Sequence, residues 1–237
     1  MDINTKFMVE TFFAALKGIP TTLIITVVTL LISAPLGFFM GLSRLRKRGI
    51  GNKLINGYVS FIRGTPVVLQ ILFLYSLLPS LLNYLLNIVL EWDVDVFGVN
   101  PIVYAFTVFS LNTTAVMTEV FRSALSSVGH GQMEAALSVG LTRSQAYSRI
   151  IVPQAMVTAL PNICNTTVNL LKSTSLAFMM TVQDITAIAK IRAAYGYNYI
   201  EAYLVVFFVY ILLCTAVQLL FKIIEQSLSS YKKLIAY

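Results

Sequence analysis

Long apolar runs dominate the chain, and polar clusters separate them at wide intervals. A helix rises about 1.5 Å per residue and needs about 20 apolar residues to cross a bilayer core of about 30 Å. The first run of that length covers roughly residues 19–43 and is rich in Leu, Ile, Val and Thr. The second extends from Ile55 to Leu90, which as one helix would be about 50 Å and too long for a single crossing. Pro79-Ser80 is the natural division, so the pattern predicts a span over 55–78 and a short helix beyond it. The acidic stretch Glu91 to Asp95 follows, with Trp92 placed to anchor at an interface. Further spans are predicted over 101–125, 149–171 and 199–224. Pro153 and Pro161 fall in the fourth, where neighbouring helices can satisfy the freed backbone groups. Residues 126–147 are small and polar, 172–198 are too polar to span easily, and both read as connections. Within the second connection Thr181-x-x-Asp184 resembles a capping box opening a short helix.

Composition turns this pattern into a fold class. Of 237 residues, 57% are hydrophobic and only 11% are charged, where a soluble domain carries about 25% charged residues. A soluble enzyme, a disordered chain and a collagen-like chain are excluded. The expected fold is an all-α integral membrane protein of five transmembrane helices, forming one domain over residues 1–237. Lys plus Arg number 17 and Asp plus Glu 10, a net charge of +7. The cations gather at the ends of apolar runs, as in Arg44-Leu45-Arg46-Lys47-Arg48. That is an orientation signal, because cytoplasmic loops are rich in Lys and Arg; it is not read as a nucleic-acid surface. With the 44–53 loop, the 122–149 loop and Lys232-Lys233 inside, the N-terminus lies outside and the C-terminus in the cytoplasm. Lys172, Lys190 and Arg192 then fall on the outer side, against the bias. Residues 1–17 lack the basic n-region of a cleavable signal, so the first span is expected to be retained. Cys164 and Cys214 sit inside apolar runs and read as small buried hydrophobes. An odd span count speaks against two equal inverted halves.

Polar residues inside such runs are the candidate chemistry. Arg63-Gly64-Thr65-Pro66 interrupts the second span. Gly64 permits a turn, Thr65 suits an N-cap and Pro66 suits the first helical position. A broken membrane helix offers N–H groups and a positive dipole end to a carboxylate, and Arg63 adds a guanidinium. The plain alternative is a proline kink with Arg63 snorkelling to the interface. Gln70 follows seven residues later on the same face. Asn112 and Glu119 share a face of the third span. An intramembrane carboxylate is a functional candidate by default, so Glu119 is read either as a contact for an ammonium or guanidinium group or as a partner of Arg122 near the helix end. Lys172-Ser173-Thr174-Ser175, then Gln183-Asp184, puts hydroxyls, an ammonium and a carboxylate where the fourth span ends, as a substrate contact, a gate or a plain loop. Glu134-Ala135-Ala136 and Gly140 lie on a predicted short helix whose small residues allow docking into another protein's groove or onto the membrane. The sequence carries no nucleophile–base pair, metal-ligand set or P-loop; His130, in Gly-His-Gly, reads as a loop residue.

The stretch Gln132-Met133-Glu134-Ala135-Ala136, then Gly140 and Ile151-Val152-Pro153-Gln154, resembles the EAA loop of ABC importer permeases. Phe61-Ile62-Arg63-Gly64-Thr65-Pro66, Glu119-Val120-Phe121-Arg122, Leu160-Pro161 and Leu171-Lys172-Ser173-Thr174-Ser175-Leu176 narrow the resemblance to polar amino acid permeases, nearly end to end from Gly18. The resemblance implies a bacterial inner-membrane subunit that forms a pathway as a homo- or heterodimer with a second permease subunit. It implies two ABC ATPase subunits carrying ATP and Mg, an external amino-acid-binding protein, and no catalysis, metal or cofactor in this chain. Gln132, Glu134, Ala135, Ala136 and Gly140 become the expected ATPase-coupling residues. Arg63, Gly64, Thr65, Gln70, Asn112, Glu119, Lys172, Ser175 and Asp184 become the expected substrate-binding set. Acidic residues near the pathway lean the expected substrate towards polar or basic amino acids such as arginine, lysine or histidine. Ala115-Val116 and Thr118 depart from the family's usual Ala-Tyr and small residue before the glutamate. A secondary transporter or channel without an ATPase, and a non-transporting scaffold, are the alternatives; neither explains the EAA-like loop.

Overall fold

The computed structural model describes residues 3–45 and 49–235, with the backbone alone for His130 and residues 228–235. Arg46, Lys47 and Arg48 of the basic cluster lie outside the described residues, as do the side chains of Lys232 and Lys233. Among the described residues the regular structure is helical: α1 (Thr5–Leu16), α2 (Ile19–Leu45), α3 (Ile50–Gly64), α4 (Val67–Asn83), α5 (Pro101–Ser127), α6 (His130–Ser138), α7 (Arg143–Ala146), α8 (Val152–Ser173), α9 (Ile185–Ala194) and α10 (Tyr199–Ile235). A π-helical turn, Tyr84–Val89, extends α4; another, Tyr147–Ile151, leads into α8; and a 3-10 turn, Thr174–Met180, follows α8. Several starts are written locally. Asn4 Oδ1 accepts the Phe7 N–H at 3.0 Å, and Asn100 Oδ1 accepts the Ile102 N–H at 3.0 Å ahead of Pro101, the side-chain capping that orphan N–H groups require.

Among the described residues four helical segments are long and apolar enough to cross a membrane: Ile19–Leu45, Val67–Val89, Pro101–Ser127 and Tyr199–Ser227. Three of these helices begin and end within a few residues of the expected first, third and fifth spans. The second does not. Pro79 is accommodated inside α4, and the helix breaks instead between Gly64 and Val67. Thr65 is extended there, φ −117° and ψ 143°, as a residue preceding proline tends to be. The predicted 55–78 span therefore divides into α3, a separate helix, and a crossing that starts at Val67. The predicted fourth span is α8, whose 22 residues include the buried Thr166 and Thr167. Their hydroxyls donate to the carbonyls of Asn162 and Ile163, at 2.8 and 2.9 Å, which satisfies polar side chains within the helix.

The bundle is built on α2 and α5. A Cβ added to Gly37 would lie 2.6 Å from Met117 Cβ, and one on Gly41 would lie 2.9 Å from Thr118 O. Only glycine lets these backbones approach so closely, and the order of the contacts makes the two helices parallel. Helix α8 runs antiparallel to α5, since Ala155 packs among Met117, Phe121 and Leu125 while Leu170 packs with Ala105 and Phe109. Ile25 and Ile71 also belong to the second of these clusters. A third joins Ala15 of α1, Leu171, Ile185 and Val209 of α10. Large apolar side chains such as Leu31, Phe39, Phe73 and Phe207 point outwards, as contact with lipid requires. Two cations that run against the charge bias have partners. Lys190 Nζ lies 3.8 Å from the centre of the Phe178 ring, and Arg192 pairs with Glu10 at 3.2 Å.

Candidate functional site

The break before α4 is held by one amide. Gln70, buried, places Nε2 at 2.8 Å from Ile62 O, 2.8 Å from Thr65 Oγ1 and 3.1 Å from Thr65 O. Its Oε1 accepts Asn112 Nδ2–H at 3.0 Å. Gln70 thus closes the carbonyl end of α3, the start of α4 and the middle of α5 into one clasp. Thr65 is not the N-cap that its sequence position suggests. Pro66 occupies that place without a side-chain bond, and the Thr65 hydroxyl donates back to Phe61 O at 2.9 Å. Gly64 does not supply a turn at positive φ either. A Cβ there would meet nothing within 4 Å, so the backbone edge at the break is open.

Beside the clasp stands Glu119. Arg44 Nη1 lies 2.6 Å from Oε1, Arg122 Nε lies 2.7 Å from Oε2, and Arg63 Nη1 lies 3.7 Å from Oε1. Both carboxylate oxygens are occupied by guanidinium groups, so Glu119 is a counter-ion within the fold. Arg122 was legible at i+3. Arg44, from 75 residues away, reads in the sequence only as an orientation charge. The available signal was Gly37-x3-Gly41, a small-residue spacing that marks a packed face, with Arg44 one turn further along it.

Asp184 is corrected more sharply. It is completely buried, and it caps α9 in place of Thr181 by accepting the Ala187 N–H at 2.8 Å. Its Oδ2 accepts the Tyr210 hydroxyl at 3.3 Å, and Thr174 Oγ1 lies 3.4 Å from that hydroxyl. Burial pushes the carboxyl above its ordinary value, opposed by the hydrogen bonds from the Ala187 N–H and the Tyr210 hydroxyl. A Cβ on Gly18 would collide with the backbone of Asp184 and Ile185, so the α1–α2 junction seals the site. Tyr210 is the residue that sequence reasoning missed here, because nothing in an apolar run marks one tyrosine as a carboxylate partner. Lys172 and Ser175 line an open groove of about 390 Å³ with Tyr203, Phe207, Cys214 and the same Tyr210. Ser175 Oγ donates to Lys172 O at 2.7 Å. The expected substrate set is therefore dispersed. Arg63, Gly64, Thr65, Gln70, Asn112 and Glu119 gather around the break, Lys172 and Ser175 line a second surface, and Asp184 is enclosed.

The residues around Glu134 form the short helix α6. Gln132, Glu134 and Ala135 are exposed on α6, followed by exposed Leu137, Val139 and Gly140, whereas Ala136 is buried against its own chain. Gly140 has φ +83°. The Leu141 N–H bonds Ala136 O at 3.1 Å and the Gly140 N–H bonds Leu137 O at 3.0 Å. This is a Schellman end, which favours glycine at that position. Thr142 and Gln145 then form a capping box that opens α7. Among the described residues no three His, Cys, Asp or Glu side chains converge as a metal site.

A helical membrane bundle with a clasped break just ahead of one apolar helix, a cluster of arginines beside it and an exposed helix at the same end has the build of a membrane transport subunit. The chain belongs to the family of binding-protein-dependent transport system inner membrane components, which matches residues 33–230. It is 34% identical to the "Probable amino-acid permease protein YxeN" of Bacillus subtilis over 96% of each chain. It is 33% identical to the L-cystine transport system permease protein TcyL of the same organism, over 88% of this chain and 84% of that one. The fold matches a crystal structure of an amino acid ABC transporter with histidines at a TM-score of 0.79 and 24% identity, covering 96% of this chain and all of the other.

Proposed function

We propose that this chain is the pathway-forming subunit of an ATP-driven amino acid importer in the bacterial inner membrane. Two permease subunits enclose the pathway, two ATPase subunits bind ATP and Mg, and an external binding protein delivers the substrate. With α8 counted as a crossing, the chain has five spans, an external N-terminus and a cytoplasmic C-terminus, which puts α6 and the Arg44–Glu119 cluster on the ATPase side. The observation that carries the reading is the exposed surface of α6, with Gln132, Glu134 and Ala135 presented beside apolar Leu137 and Val139. A small apolar patch with one central charge suits a groove on a soluble partner. Closure of the ATPases moves α6, and the bundle alternates between inward-facing and outward-facing states. Arg63 and the open backbone at Gly64–Pro66 meet the substrate carboxylate. The finer expectation of a basic substrate drew on Glu119 and Asp184, and that support weakens now that one is occupied by arginines and the other is enclosed.

The test is ATP-dependent uptake in proteoliposomes holding the whole complex. A Glu134→Arg, Gly140→Asp double variant is expected to abolish uptake and ATPase binding while the chain still inserts and folds. Uptake that survives this change, or proceeds without ATP, would favour a transporter that needs no motor.

A further inference from the structure

The loop between the π-helical end of α4 and the start of α5 is the most acidic stretch of the chain. Glu91, Asp93 and Asp95 are three of its 10 acidic residues, and no Lys or Arg occurs between Arg63 and Arg122. Among the described residues none of the three has a cation within 4 Å. They alternate with apolar side chains that are also uncovered: Trp92 is 64% exposed, Val94 40% and Phe97 67%. The backbone beneath them is fixed. Both backbone groups of Val94 bond the Asn87 amide, at 2.7 and 2.8 Å, and the Trp92 N–H bonds Leu86 O at 2.9 Å. The Tyr104 hydroxyl donates to the carbonyl of buried Val96 at 2.9 Å. The loop therefore presents a preformed surface of aromatic and acidic side chains, with little left to order on contact. It stands at the Pro101 end of α5 while α6 follows the Ser127 end, so about 40 Å of helix separates the two surfaces.

We propose that this loop is a docking surface for the external binding protein, which meets it with lysines or arginines around an apolar notch that takes Trp92. The proposal rests on the importer reading above, in which α6 faces the ATPases and the opposite end of α5 faces the binding protein. The family to which the chain belongs works in dependence on a binding protein, so a soluble partner has to reach that end. Charge argues against a seat on lipid instead. Segments that lie on anionic headgroups carry Lys and Arg, whereas this loop carries three acidic residues and no cation. Uncovered rim carboxylates steer a cationic partner into place. A protruding tryptophan among them is the kind of side chain that anchors protein interfaces.

The experiment uses the permease–ATPase complex in nanodiscs, titrated with the binding protein that drives its uptake. A Glu91→Lys, Asp93→Lys double variant is expected to weaken association about tenfold at low salt, mostly through a slower on-rate, and less at high salt. Trp92→Ala is expected to weaken it about thirtyfold at either salt, through faster dissociation. A carbodiimide, which joins a carboxylate to a lysine amine with loss of water, is expected to couple Glu91 or Asp93 to the binding protein, as read by mass spectrometry of the cross-linked peptides. Unchanged affinity in both variants, or cross-links that avoid this loop, overturns the proposal. Fluorescence quenching by brominated lipid that disappears in Trp92→Phe puts the ring in the membrane and overturns it as well. Absence of ATP-driven uptake by the native complex with any binding protein overturns the importer reading instead.

Discussion

Glu119 and Asp184 are both carboxylates in a chain with few charges, and the molecule disposes of them in opposite ways. Glu119 keeps its charge and surrounds it with cations from α2, α3 and its own helix. Asp184 has no cation within 4 Å among the described residues and is held by a backbone N–H and a tyrosine hydroxyl. The contrast separates two uses of an acidic residue near a membrane. One organises a set of arginines whose surplus faces outwards. The other ends a helix and locks it to the bundle. Sequence depth alone does not distinguish them, because both lie beside apolar runs.

The largest expected effect falls on the enclosed carboxylate. Asp184→Ala removes the α9 cap and leaves the Tyr210 hydroxyl without its acceptor, at a cost of about 3 kcal/mol, read as a lower unfolding midpoint of the purified complex. Glu119→Ala leaves three guanidiniums facing one another and is expected to cost about 2 kcal/mol, since the cluster is only partly buried. If the two values exchange rank, the division between lock and counter-ion is wrong.

Asp184→Asn sharpens the comparison by keeping a capping oxygen and removing the charge, at under about 1 kcal/mol. The sign with pH follows from the raised carboxyl. Its folded-state value lies above the unfolded one, so its contribution is full below the ordinary carboxylate value of about 3.9 and is lost as pH rises through the folded value. The native chain should therefore lose stability relative to Asp184→Asn across that window, and identical pH profiles would remove the distinction. Arg63→Gln gives the smallest change, within about 0.5 kcal/mol, because a half-exposed ion pair at 3.7 Å contributes little. A large loss of stability there would mean that Arg63 belongs to the structural part of the cluster.

What the sequence made legible was local. Three crossings, the interruption at 63–66 and the helix carrying Glu134 follow from apolar length, proline and small residues within a few positions of one another. Pro79 and Pro66 look alike in a local pattern, so the pattern divides the second apolar run at Pro79 where the structure breaks it before Val67. The Gln70 clasp, reaching back to Ile62 and across to Asn112, holds the break at Pro66 and has no counterpart in the local pattern. Arg44 finds Glu119 across 75 residues and Tyr210 finds Asp184 across 26, distances at which no helical periodicity speaks. The motif around Glu134 mixes residues with different jobs: Ala136 is there to be small under its own chain and Gly140 to adopt positive φ, while Glu134 and Ala135 face outwards.

The glycine contact between α2 and α5 bears on how such a bundle moves. Helices that meet through long side chains can slip past each other by exchanging rotamers, which is how shear between packed elements usually proceeds. At Gly37 and Gly41 there is no such layer, and backbone meets backbone and Cβ. The two helices therefore travel as a single plank. Any rocking that opens one side of the bundle and closes the other is then expected to be hinged away from this contact.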